Sequence, residues 1–170
     1  MRDLLNLQAE SEWLLLPARR IASGASSFER VIRVRRGKND GVQPGMAVLH
    51  SRGIVGQVFQ VFARTADVLL LVDRASAIDV VIQRSRARGI LRGEWMRELR
   101  FQYLMKEEDL QVGDEVISTG LDGVYPARFP VGVVKSVEAE SQGLFLKASV
   151  EPYVDFSRVE EVAIVLGAVK

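Results

Sequence analysis

The chain contains no cysteine, a single histidine and no run of 18 or more apolar residues. The first absence rules out disulfides, thiolate metal sites and a cysteine nucleophile. The second rules out a histidine metal cluster, because His50 has neither a second histidine nor a cysteine to complete the set. The third means that no stretch is long and apolar enough for a membrane-spanning helix. A phosphate loop is missing too. Gly37-Lys38-Asn39-Asp40-Gly41 has neither the spacing nor the following helix that such a loop requires. The carboxylate groups Glu107-Glu108-Asp109 and Glu160-Glu161 are sequence neighbours, so on a strand they point to opposite faces and cannot form an acid/base pair.

The 170 residues suffice for one ordinary domain or two small ones, and 48% hydrophobic with 26% charged residues is a globular composition. The formal charge is only +1, but it is unevenly spread. Residues 1–105 hold 17 Lys and Arg against 10 Asp and Glu, while residues 106–170 hold 6 against 12. A basic and an acidic face on one molecule suit head-to-tail contact between copies or with a partner, although two solvated surfaces give the same count.

Residues 2–14 have no Gly or Pro and are rich in Leu, Glu and Gln, which predicts a helix. Leu4, Leu7 and Leu14 are spaced like a coiled-coil seam interrupted at Ser11, and Pro17 is expected to end the helix. A short amphipathic helix lying on the domain fits the same residues. Beyond it, short runs of Val, Ile, Leu and Phe alternate with turn residues. They predict strands at 30–35, 46–49, 54–61, 67–72, 78–83, 89–91, 99–104, 115–118, 131–137, 144–151 and 161–166. Many short strands without a crossover helix predict a mainly β fold of sandwich or barrel type.

One strand unit occurs twice. Gly45-Met46-Ala47-Val48-Leu49-His50-Ser51 matches Gly113-Asp114-Glu115-Val116-Ile117-Ser118-Thr119. Ile54-Val55-Gly56-Gln57-Val58 then matches Pro130-Val131-Gly132-Val133-Val134, after a longer insert that contains Leu121-Asp122-Gly123-Val124-Tyr125-Pro126. The glycine inside each later strand predicts a bulge or a tight bend at a barrel corner. The doubling predicts two similar small barrels.

Two barrels are also the plan of chymotrypsin-like hydrolases. His50, an aspartate from Asp67, Asp73 and Asp79, and Ser118 follow in the required order. Ser118 lacks the glycine-flanked turn that would supply oxyanion donors. A basic barrel that binds nucleic acid is a third reading. Arg30, Arg33, Arg35, Arg36 and Lys38 form one cluster, and Arg84, Arg86 and Arg88 another, but neither is interleaved with Tyr or Trp.

Several segments, in order, resemble the extracytoplasmic β domain of the bacterial rod shape-determining MreC family. They are Gly37-Lys38-Asn39-Asp40-Gly41-Val42, Pro44-Gly45-Met46-Ala47-Val48, Gly53-Ile54-Val55-Gly56 and Val68-Leu69-Leu70-Leu71-Val72-Asp73. Arg88-Gly89-Ile90-Leu91, Val112-Gly113-Asp114, Ser118-Thr119-Gly120, Pro130-Val131-Gly132 and Glu151-Pro152-Tyr153-Val154-Asp155-Phe156-Ser157-Arg158 continue the match.

The resemblance implies a coiled-coil end at residues 1–14 and a double β-barrel over 15–166, with an exchange between subdomains near 75–110 and a tail at 167–170. It implies a non-enzymatic scaffold without cofactor, on the periplasmic face of the cytoplasmic membrane. A single membrane helix precedes the coiled coil in the family. The implied partners are a second copy (as homodimer or filament), MreD, the elongation penicillin-binding transpeptidase and, indirectly, MreB and RodA. Leu4, Leu5, Leu7 and Trp13 are the expected self-association surface, as coiled-coil seams pair through such residues. Tyr125, Phe129 and Tyr153 are the expected partner surface, if exposed, because aromatics anchor interfaces. One departure stands out: Arg128 occupies a position where similar sequences tend to have glycine.

Overall fold

A computed structural model describes residues 13–23, 31–94, 98–102, 104–139 and 143–168. Among them are twelve strands: β1 (Trp13–Ser23), β2 (Val31–Val34), β3 (Ala47–His50), β4 (Gly53–Val61), β5 (Ala66–Leu70) and β6 (Ala77–Ile82). The others are β7 (Arg88–Gly93), β8 (Leu99–Gln102), β9 (Glu115–Ser118), β10 (Pro130–Ala139), β11 (Leu146–Pro152) and β12 (Glu161–Ala168). They close into two six-stranded antiparallel barrels. The order is β3-β4-β5-β2-β1-β12 in barrel A and β9-β10-β11-β8-β7-β6 in barrel B. The expected mainly β fold of two small barrels is the one found.

The expected helix is corrected at its end. Trp13 and Leu14 open β1, and the rest of that segment, Leu4, Leu5 and Leu7 included, lies outside the described residues. Pro17 does not terminate a helix; it sits within β1, opposite Ala163 of β12. Its carbonyl accepts a hydrogen bond from Arg36 Nε at 2.9 Å. β2 pairs with β1 only from Arg20 onward, so Pro17 needs no ladder N–H on that side. Helix propensity is a weak prior, and the partner strand β12 overrides it.

The chain passes between the barrels twice, at Leu70/Leu71 and at Tyr153/Val154. Barrel B is thus inserted into barrel A, whose last strand returns 90 residues after β5. Matching the two barrels around their circumference makes β3, β4, β5, β2, β1 and β12 equivalent to β9, β10, β11, β8, β7 and β6. Barrel B runs β6 to β11 in sequence. Barrel A runs β12, β1, β2, β3, β4, β5, which is the same Greek-key winding begun one strand late.

The equivalence extends to single residues. Val48 faces Gly56, and Val116 faces Gly132. One extra residue, Val55 or Val131, bulges beside each pair and points into its core. A second bulge follows at Phe59 and Lys135. Gly45 N donates to Val58 O (2.6 Å), and Gly113 N to Val134 O (2.9 Å). Both glycines have φ near +90°, at +91° and +94°, where a side chain would be strained. The cores match in the same way. Ile32, Val48, Val58, Val68 and Ile164 fill barrel A, and Leu99, Val116, Val134, Val150 and Ile82 take the corresponding places in barrel B.

Gly56 and Gly132 are fixed by contact. A Cβ on Gly56 would collide with the Leu69 carbonyl, and one on Gly132 with the Glu151 carbonyl. The obstacle is backbone in both cases and cannot rotate away. Gly56→Ala and Gly132→Ala should each lower stability by about 1–3 kcal/mol in urea unfolding, as overpacking does. Unchanged midpoints would show that the strands do not cross this closely.

Candidate functional site

Ser118 is 1% exposed, and its hydroxyl is committed to the backbone. It donates to Pro126 O at 2.5 Å and accepts from Phe129 N at 3.0 Å, holding the loop between β9 and β10. His50 accepts a hydrogen bond from Arg52 N at 3.1 Å on the turn after β3. His50 and Asp67 belong to barrel A, whereas Ser118, Asp73 and Asp79 belong to barrel B. Asp67 and Asp79 are engaged by Arg33 and Arg88, and the Ser118 hydroxyl by loop backbone. Among the described residues no group of His, Asp and Glu is arranged to hold a metal ion.

Several arginines of each cluster are engaged in ion pairs within their own barrel. Arg33 pairs with Asp67 at 2.8 Å and lies over the Phe62 ring, 5.1 Å from its centroid. Arg36 pairs with Asp40 at 3.3 Å, and Arg88 with Asp79 at 2.8 Å. Arg30 lies outside the described residues. Arg86 occupies the β6–β7 turn with φ +65°. These pairs lower the charge available to a phosphate backbone without removing it.

The three aromatic candidates separate. Tyr125 is 4% exposed, and its ring belongs to the core of barrel B. Burial pushes its hydroxyl far above the ordinary tyrosine range, and the nearby Asp122 charge adds to this. Its side chain is therefore part of the barrel interior and not presented at the surface. Phe129 and Tyr153 are half-buried and lie at the same end of barrel B: Phe129 just precedes β10, and Tyr153 N donates to Val131 O at 3.1 Å. The Tyr153 hydroxyl donates to Glu115 at 3.2 Å. Trp13 is half-buried in β1 opposite Ala168, on a strand and not on a coiled-coil seam.

Sequence reading missed a second group at the opposite end of barrel B. Met105, Leu144 and Phe145 are 41%, 67% and 38% exposed. Met105 bridges Phe145, and Lys106 N donates to Leu144 O at 2.9 Å, so residues some 40 positions apart form one apolar patch. Exposed Glu107 and Glu108 border it. The loop that carries it is clamped by Arg84, which grips Asp109 (2.6 and 2.9 Å) and Asp114 (2.8 and 2.9 Å) with both edges of its guanidinium. Asp114 also accepts from Gln111 N at 2.8 Å. The Arg84 hydrogen bonds hold both carboxyls below the ordinary aspartate range, against an opposing effect of desolvation. Apolar exposure on a fixed loop makes this group a candidate contact surface.

Comparison with known proteins places this architecture. The family model for the barrel core of rod shape-determining protein MreC matches residues 21–166. The MreC of Caulobacter vibrioides is 32% identical over 165 residues, covering 97% of this chain and 46% of that protein. The Escherichia coli protein is 27% identical over 169 residues, covering 99% and 46%. The chain therefore spans about half the length of the curated relatives it matches. The MreC crystal structure from Pseudomonas aeruginosa superposes with a TM-score of 0.86 at 33% identity, covering 89% of this chain and 99% of that one. The major periplasmic domain of the cell shape-determining filament MreC gives 0.78 at 25% identity, covering 91% and 96%. MreC from Helicobacter pylori, in a complex with penicillin-binding protein PBP2, gives 0.71 at 17% identity and covers 89% and 98%, a likeness of fold alone.

Two outcomes follow from the loops of barrel B. A carboxyl held low in the folded state stabilises above its unfolded pKa and loses that contribution as pH falls through the folded value. Asp114→Asn should destabilise the protein at neutral pH, and its stability should then decline less than the parent's between about pH 5 and about pH 3. Parallel declines would contradict the clamp. Arg128, with φ +62°, is strained in the conformation glycine adopts freely. Arg128→Gly should raise stability by about 1 kcal/mol in thermal unfolding, and a loss would contradict the strain.

Proposed function

The chain belongs to the rod shape-determining MreC family, and from that membership we propose that it is a non-enzymatic scaffold that maintains rod shape by organising peptidoglycan elongation enzymes. The observation that carries the reading is the match over both barrels, residues 21–166, and the commitment of the Ser118 hydroxyl to loop backbone supports it. The periplasmic description of one MreC neighbour supports an extracytoplasmic location. The complex of another with a penicillin-binding protein supports a transpeptidase of elongation as the direct partner. MreD, and indirectly MreB and RodA, complete the proposed assembly. Self-association through the segment that precedes β1 belongs to the same proposal and rests on the seam-like spacing of Leu4 and Leu7, with Leu5 beside them.

Barrel B offers two surfaces for the transpeptidase. One is Phe129 with Tyr153. The other is the Met105, Leu144 and Phe145 patch, which has the larger apolar exposure and an acidic border. Buried aromatic and aliphatic anchors dominate interfaces, so the patch is the stronger choice. The test is binding of the chain to the elongation transpeptidase of the same organism, measured by interferometry. Met105→Ser with Phe145→Ser should weaken binding at least about tenfold while leaving thermal unfolding intact. Phe129→Ala serves as the comparison. No measurable binding by the parent, or equal binding by the double variant, would remove the patch from the account.

A further inference from the structure

Barrel A carries, at the end equivalent to the apolar patch of barrel B, an open cleft of about 590 Å³. Arg19, Arg35, Arg36 and Arg64 line it, against the two carboxylates Asp40 and Glu161. From this we infer that the cleft is a binding site for a multivalent oxyanion of the phosphate or pyrophosphate class.

The arginines are presented on fixed backbone. Lys38 N donates to Phe62 O (2.8 Å) and Asn39 N to Ala63 O (3.0 Å), which ties the turn after β2 to the β4–β5 hairpin that carries Arg64. Gly37 packs so tightly against this hairpin that a Cβ would strike the Phe62 carbonyl. Asp40 is already used: it accepts from Gly37 N at 3.0 Å and from Arg36 at 3.3 Å. Arg36 is held in place from its other side by Pro17 O. Arg19 lies opposite Glu161 across the β1–β12 ladder. Among the described residues, Arg35 and Arg64 have no carboxylate partner. Guanidiniums gathered on one cleft repel one another, and an anion seated between them relieves that repulsion.

The internal repeat serves as a control. The Lys38–Phe62 hydrogen bond has its counterpart in Lys106–Leu144 at 2.9 Å, so both barrels build the same backbone here. In barrel B that backbone carries Met105, Leu144 and Phe145. The fold therefore does not require arginine at this turn, although Arg36 also serves the fold through Pro17 and Asp40.

The chemistry of the ligand follows from the donors and the shape. One carboxylate satisfies one guanidinium fork, whereas a phosphate or pyrophosphate presents several acceptor oxygens and at least two charges in a small space. An extended acidic peptide would gain most from pairing with the β1 edge, but Pro17 has no N–H to offer and Arg36 occupies its carbonyl. The oxyanion can be free in solution or borne on a lipid headgroup.

The experiment is calorimetric titration of the chain with sodium pyrophosphate, repeated with Arg35→Gln/Arg64→Gln and with Arg52→Gln as a basic control outside the cleft. Binding should weaken with added salt, fall roughly tenfold or more in the double variant and stay unchanged in the control. Flotation with phosphatidylglycerol vesicles assigns the source. Cleft-dependent flotation identifies a headgroup, and pyrophosphate binding without flotation identifies a free anion. No pyrophosphate binding would overturn the inference. So would equal binding by the double variant, or cleft-dependent binding of polyglutamate in the absence of any response to pyrophosphate.

Discussion

Two close crossings of backbone on backbone hold this structure in shape. At Gly56 and at Gly132 a long strand passes its neighbour with no room for a Cβ, directly after a bulged valine that is turned into the core. The bulge and the glycine together bend the strand enough to serve both neighbours, which is what a barrel of only six strands requires. Once β4 and β10 are bent in this way, the registers of β3, β5, β9 and β11 follow, and so do the valine layers of each interior.

The doubling has a structural and a functional side. Structurally, barrel A is barrel B with its first strand supplied last, so that β12 closes on β1 and β3 across most of the chain length. A chain wound in this way keeps both barrels intact without an interdomain crossover helix. Functionally, the two copies retain one backbone and differ at their loop ends. One end is apolar with an acidic rim, and the other is a cleft of arginines. The fold itself does not dictate those surfaces.

Much of the frame is legible in the sequence because its constraints are local. The glycines and valines of the twin strands are dictated by backbone geometry and therefore recur in both copies. The repeat is longer than the residues suggest. Gln43 N donates to the Met46 sulfur (3.3 Å), and Gln111 N donates to an Asp114 oxygen (2.8 Å), so one turn is kept by chemically unlike side chains. β1 is hidden because its leucines read as helix and its proline as a stop; only β12, remote in sequence, makes it a strand. The surfaces are the least legible part. Tyr125 in a loop rich in Gly and Asp gives no sign of being buried. Met105 and Phe145 meet only through a pairing across 40 residues. Arg128 is the exception: the family resemblance already marks its turn as a place suited to glycine, and its φ of +62° is the conformation that glycine would suit.

The central claim is that each barrel closes on its own core and that barrel B is one unbroken repeat set into barrel A. Expression of residues 71–153 alone, followed by urea unfolding and amide exchange, tests this most directly. The account predicts a β-sheet protein with a single cooperative transition and protected amides at Val80, Val116, Val134 and Val150. An unfolded fragment, or one that exchanges these amides at random-coil rates, would contradict it.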